Sequence, residues 1–331
     1  MFREIISVVA ACLALTAASV APTHAQSDSF ETYGAFDDAN PQTIDYSLFS
    51  FILSELVFDV GPSDRVAASG RFIQTGTRIR RENISRYRYE GNRIIYHLLT
   101  EGQKETLSAY RQELQALPGI VELSRLSSNE QLAYWLNLYN IVMIDEISRA
   151  YPVNEPRDIR INGAPLHDAP IITLPDRTLS LNDIRFRIVA PIWDDPRVIY
   201  GFYTGAVGGP SVQRSAFEAK IIWGQLDRIG SEFVNSLRGV DAYGPPARVS
   251  SIYFDYETLF DEGDDELQRH LLRYADDEVR TLVSQSDTFR QGRFDHSIAD
   301  LTNGSICSEG IVGQLEIYGA DDSDFNGGCR A

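Results

Sequence analysis

Glu130, Asn137 and Asn140 fall on one side of the helix-forming run Glu130-Gln-Leu-Ala-Tyr-Trp-Leu-Asn-Leu-Tyr-Asn140, because residues three and seven positions apart share a helix face. An unpaired buried amide costs ~1–3 kcal/mol, so two Asn beside Trp135 and Leu136 must find partners. They either tie neighbouring backbone together or line a pocket. Asp195-Pro-Arg197 adds a carboxylate and a guanidinium, and Phe294-Asp-His-Ser-Ile298 adds an imidazole. The candidate pocket is therefore Glu130, Asn137, Asn140, Asp195, Arg197 and His296. Such a set suits polar ligand binding. It also suits hydrolysis by Ser, Thr or carboxylates, with Thr204 or Ser211 as nucleophile, His296 as base and Asp195 as orienter. No Gly-x-Ser-x-Gly elbow accompanies the second reading.

Two further groups could hold an anion. Arg80, Arg88 and Arg93 lie in an Arg-rich stretch between Gly70 and His97. There a guanidinium fork would match a carboxylate or phosphate at the rim of the pocket, or pair with the chain's own carboxylates. Gly205-Ala-Val-Gly-Gly209 invites a phosphate-loop reading, but it lacks the Lys and spacing of a Walker loop and the dinucleotide fingerprint.

The elements that position these residues follow from periodicity and punctuation. Ile44, Leu48, Ile52 and Leu56 predict a helix over 44–57, and Leu107, Tyr110, Leu114 and Leu117 another over 98–117. Ser127 with Glu130 predicts a capping box at the start of the signature helix. Segment 70–97 alternates and turns at Glu90-Gly-Asn92, which predicts a β-hairpin. A short hairpin is expected around Pro175-Asp176, then a helix capped by Ser180. Strands are expected at 197–206 and 248–256, and an acidic amphipathic helix over 264–284. The fold class expected is α+β, a single main domain with an antiparallel or mixed sheet packed with helices.

The run Ala133-Tyr-Trp-Leu-Asn-Leu-Tyr-Asn140, followed in order by Leu179-Ser-Leu-Asn-Asp-Ile184, Asp195-Pro-Arg197 and Phe294-Asp-His-Ser-Ile298, resembles the domain-of-unknown-function 547 family over roughly Tyr87 to Leu301. The resemblance implies a compact α+β domain whose biochemical role is not established. Family members follow Asp-Pro-Arg with a His and two Cys. This chain has Ile199, Thr204 and Gly209 at those positions. A thiolate nucleophile needs a thiol and a group to take its proton, so thiol chemistry is not carried over.

Arg3, the apolar run Ile5 to Val20 and Thr23-His-Ala25 form an export signal cleaved before Gln26, with Cys12 as a rival lipidation site. The expected location is the periplasm or outside the cell. The organisation expected is a leader (1–25), an extension with one helix (26–69), the main domain (70–303) and a C-terminal tail (304–331). No second long apolar stretch follows the leader, so no transmembrane segment is expected in the mature chain. Cys307 and Cys329 are an even pair in an exported chain and read as a disulfide stapling the tail. A net charge of −17 argues against nucleic acid or anionic membrane as partner. Asp322-x-Asp-x-Asn-Gly327 begins like a calcium loop, but Cys329 falls inside it and the closing carboxylate is lacking. No cofactor or metal is expected. The partner expected is a small anionic ligand or a cell-envelope component, bound by a non-thiol ligand-binding or scaffold module.

Overall fold

The computed structural model describes residues 30–68 and 85–302. Its architecture is mixed α+β and mainly helical. The predicted leader, the Cys307–Cys329 pair, the calcium-like run and Arg80 lie outside the described residues.

The centre is α3, Ser128–Ala150. Every residue from Leu132 to Ile144 is buried, as expected of a helix that is apolar nearly all round and must be enclosed on all sides. Ser127 caps it, its side chain accepting from the Glu130 N–H at 3.2 Å. The reciprocal half of the predicted box is replaced. The Glu130 carboxylate accepts from the Ile44 N–H at 3.0 Å and so fastens the preceding segment to the helix start.

Helix α2, Glu101–Ala116, lies along α3 and buries Leu107, Tyr110 and Leu114 of the predicted stripe, while Leu117 begins the 3₁₀ turn that follows. Helix α1, Ser47–Leu56, buries Phe49, Leu53 and Leu56, whereas the predicted Leu48 is 47% exposed. Spacing by four drifts around a helix of 3.6 residues per turn, and the set at i, i+4 and i+7 holds the core face instead.

Strands are short and paired in twos among the described residues. β1 (Val57–Phe58) pairs antiparallel with β2 (Arg93–Ile94), so β2 pairs outside the predicted 70–97 hairpin. β3 (Arg160–Ile161) and β4 (Ala164–Pro165) form one hairpin. β5 (Ile172–Thr173) and β6 (Thr178–Leu179) form the one predicted around Pro175. β7 (Arg248–Val249) and β8 (Arg290–Gln291) are parallel.

Three other expectations are corrected. Segment 197–206 begins as a 3₁₀ turn, Pro196–Gly201, because Asp195 caps it by accepting from the Arg197 N–H at 2.9 Å and Pro196 suits a first helical position. Segment 248–256 leaves β7 after two residues for the short helix α4, Ile252–Asp255. The acidic helix is two helices, α5 (Asp264–Tyr274) and α6 (Asp277–Ser284), since Asp276 caps a new start by accepting from the Val279 N–H at 2.9 Å.

After β6, Ser180 and Asp183 cap each other. The Ser180 Oγ accepts from the Asp183 N–H at 3.0 Å, and the Asp183 carboxylate accepts from the Ser180 N–H at 2.8 Å. The helix they open is π-helical over Asp183–Val189 before closing as an α-turn, Ala190–Trp193.

Candidate functional site

The sequence-predicted pocket residues are distributed through the core and do not share one hollow. Asn137 is fully buried, and its amide both donates to and accepts from the backbone of Phe217, at 2.9 Å each. Asn140 donates to the Gly201 carbonyl at 3.0 Å and accepts from the Tyr203 N–H at 2.9 Å. These amides hold two backbone segments against α3, the tying role rather than the lining one. Asp195 and Arg197 form a fork-like pair whose closest contact is 2.6 Å. The guanidinium also stacks over Trp223 at 4.1 Å. The Arg197 bonds outweigh burial and keep the Asp195 carboxyl below its usual range. Ser211 is buried beside Arg238. Of the expected anion rim, Arg93 is 4% exposed and donates to the Gly91, Arg88 and Tyr87 carbonyls. Arg88 donates to the Ser85 carbonyl and lies over Tyr89.

His296 does reach a hollow, one with a volume of about 380 Å³. Six stretches of chain converge on it. The turn after α3 brings Pro156 and Arg157, and the segment after β4 brings His167. The π-helical stretch and its start bring Asn182, Arg185 and Phe186. The glycine loop adds Thr204 and Ala206, while α4 and the segment after β8 add Ile252, Asp255, Phe294 and His296.

Arg185 decides the character of this hollow. It is only 8% exposed. Its Nε donates to the Tyr256 hydroxyl at 2.7 Å, and the guanidinium lies 4.5 Å from the Phe186 ring centroid and 5.2 Å from that of Tyr256. Among the described residues no carboxylate lies within ion-pair distance of it, and its two terminal nitrogens make no hydrogen bond. A buried charge without a counter-charge is costly. Natural cores rarely keep one unless something binds to it.

The neighbouring groups are tuned accordingly. His167 is pushed down to about 4, first by burial and then by the Arg185 charge. His296 is lowered by burial and by Arg157. Both imidazoles are neutral near pH 7. Asp255, at the rim, is raised by desolvation, with Arg185 pulling the other way. Asn182 donates to Asp168 at 2.7 Å, which fixes its amide orientation, and its Oδ1 is buried without a partner.

The glycine loop is closed to phosphate. The Val207 and Gly208 N–H groups donate to the Ser297 and Asp295 carbonyls at 2.8 Å each, and Gly209 donates to Ala206 at 3.2 Å. No nest of free donors remains.

Residues 123–234 match a family described as "Protein of unknown function, DUF547". This stretch is similar to that family. No curated protein and no solved structure matches the chain. The matched span is about a third of the chain, narrower than the 87–301 expected from the motifs.

Most of the hollow is built from the matched stretch, including Arg185 and Thr204, whereas Asp255 and His296 come from outside it. Of the three positions expected to depart from the family pattern, Ile199 is 2% exposed and belongs to the core. The other two face each other. A Cβ on Gly209 would lie 2.3 Å from the Thr204 Oγ1, so a hydroxyl at 204 and no side chain at 209 fit together. The Thr204 hydroxyl accepts only a long 3.4 Å bond from the Ala206 N–H, and among the described residues no histidine nitrogen is bonded to it. The hydrolase expectation thus has a hydroxyl and two imidazoles in one hollow but no nucleophile–base contact. Asp195, its proposed orienter, instead influences His270.

Sequence reasoning missed His167, Asn182 and Arg185. The last two lie in or directly after the Leu179 to Ile184 motif, which was the available signal. No pattern in the sequence marks a π-helical stretch.

Proposed function

We propose that the protein is a non-thiol ligand-binding module whose hollow takes a small anionic molecule on Arg185. The observation that carries this is the buried guanidinium whose terminal nitrogens have, among the described residues, no ion-pair or hydrogen-bond partner. A π-helical stretch supports it as well, since such stretches recur at functional sites. The test is a thermal-shift titration with benzoate and sulfate on the wild type and on Arg185→Met. A ligand present at 100 times its Kd stabilises the folded state by about 2.7 kcal/mol. The wild type should gain stability with at least one anion, and the variant should gain none. The variant without ligand should stay within about 1 kcal/mol of wild type, because removing a buried unpaired charge offsets the lost Tyr256 contact. Equal anion response in both proteins would end the proposal.

We further propose export, with removal of residues 1–25, and a Cys307–Cys329 bond in a tail beginning near residue 304. The leader residues and the even cysteine pair support both. One intact-mass measurement on protein recovered from outside the cytoplasm tests them. The expected species starts at Gln26 and weighs two protons less than its reduced form. An uncleaved chain, or two free thiols, would contradict the corresponding half.

A further inference from the structure

The hollow also carries information about which anion it takes. Arg185 is its one buried guanidinium, and Arg157 at the rim already donates its Nε to Glu155 at 2.6 Å. The imidazoles of His167 and His296 add no net charge at neutral pH. Against Arg185 stands Asp255, whose carboxylate faces the same space. One unpaired positive charge with a carboxylate nearby suits a monoanion and repels a dianion. The walls then call for an organic body, because Phe186, Phe294, Ile252 and Pro156 present carbon surface. A volume of about 380 Å³ lies at the small end of ligand pockets. One acceptor remains for a donor on the ligand, the exposed Asp255 carboxylate at the rim.

We infer that the ligand is a small organic monocarboxylate with an amino or hydroxyl donor beside the carboxylate and an apolar body, as in an apolar α-amino or α-hydroxy acid. The carboxylate is held by the fork of Arg185, the donor by Asp255, and the apolar body by Phe186 and Phe294. This inference rests on the anion-binding reading of the same hollow. It selects against inorganic phosphate and sulfate, which carry two charges or lack a body to place on the apolar wall.

The experiment is isothermal titration of the full mature chain with phenylalanine, 2-hydroxy-3-phenylpropanoate, 3-phenylpropanoate, 2-phenylethylamine and inorganic phosphate. The two α-substituted acids should bind about tenfold more tightly than 3-phenylpropanoate, the worth of one hydrogen bond to a charged acceptor. The amine lacks the carboxylate and should not bind, and phosphate should bind more weakly than any of the acids. Asp255→Asn should weaken phenylalanine but tighten 3-phenylpropanoate, which loses a repelling charge and no hydrogen bond. Equal weakening of both would mean general damage and would overturn the role of Asp255. If phosphate binds as well as the carboxylates or better, the ligand class is wrong while anion binding stands. If none of the anions binds, both fall.

Discussion

Both polar atoms of the Asn137 side chain end on the backbone of Phe217, and both of Asn140 on Gly201 and Tyr203. Removing such an amide leaves a buried N–H and a buried carbonyl without partners, at about 1–3 kcal/mol for each. Asn137→Ala should therefore lower unfolding stability in urea by about 3 kcal/mol, yet leave the anion-induced shift intact. Loss of that shift without loss of stability would return Asn137 to the ligand site. Arg185 has the opposite signature. Among the described residues its terminal nitrogens have no hydrogen-bond partner, so truncating it should cost binding and little stability.

Among the elements, the α2–α3 contact is fastened by charge inside the core. Asp145, fully buried, accepts from Arg111 at 2.9 Å, from Arg149 at 3.0 Å and from Ser108 at 2.7 Å. Arg111 also pairs with Glu146 and donates to the Ile171 carbonyl, which brings the β5–β6 hairpin onto the same helix. A broken buried pair strands its partner, typically at about 3–5 kcal/mol. Asp145→Ala should cost about 3 kcal/mol by that rule, moderated because Arg111 keeps Glu146. A double-mutant cycle with Arg111→Met should recover part of the loss. Additive effects would mean the two side chains are not coupled.

At the scale of the molecule, two histidines tie stability to pH. His167 and His270 are both pushed from 6.5 down to about 4, chiefly by burial. His270 also meets the Tyr200 hydroxyl at 2.7 Å. Between those values the unfolded chain binds protons that the folded chain refuses, so stability is full above pH 6.5 and falls as pH drops toward 4. Each group contributes on the order of 3 kcal/mol over that window. Urea midpoints measured between pH 7 and 4 should decline. His270→Phe should flatten the decline, whereas a curve level to pH 4 would show that the imidazoles titrate normally. No described helix is long and apolar enough to cross a membrane.

The sequence by itself determined the elements whose cues are local. The α2 stripe, the Ser127 and Ser180 caps, the β5–β6 hairpin and the mixed class all depend on neighbours a few residues away, and each can be found in one stretch of chain. Tertiary structure decided the rest, because burial is a property of the assembled core. The sequence pattern gave α3 two faces, but enclosure buried it on all sides, so its amides became backbone partners. Segment 197–206 reads as a strand by composition, yet Asp195 and Pro196 turn it into a 3₁₀ start. The hollow draws on residues from Pro156 to His296. Only folding could bring a lone buried guanidinium, two neutral imidazoles and an apolar wall into one space.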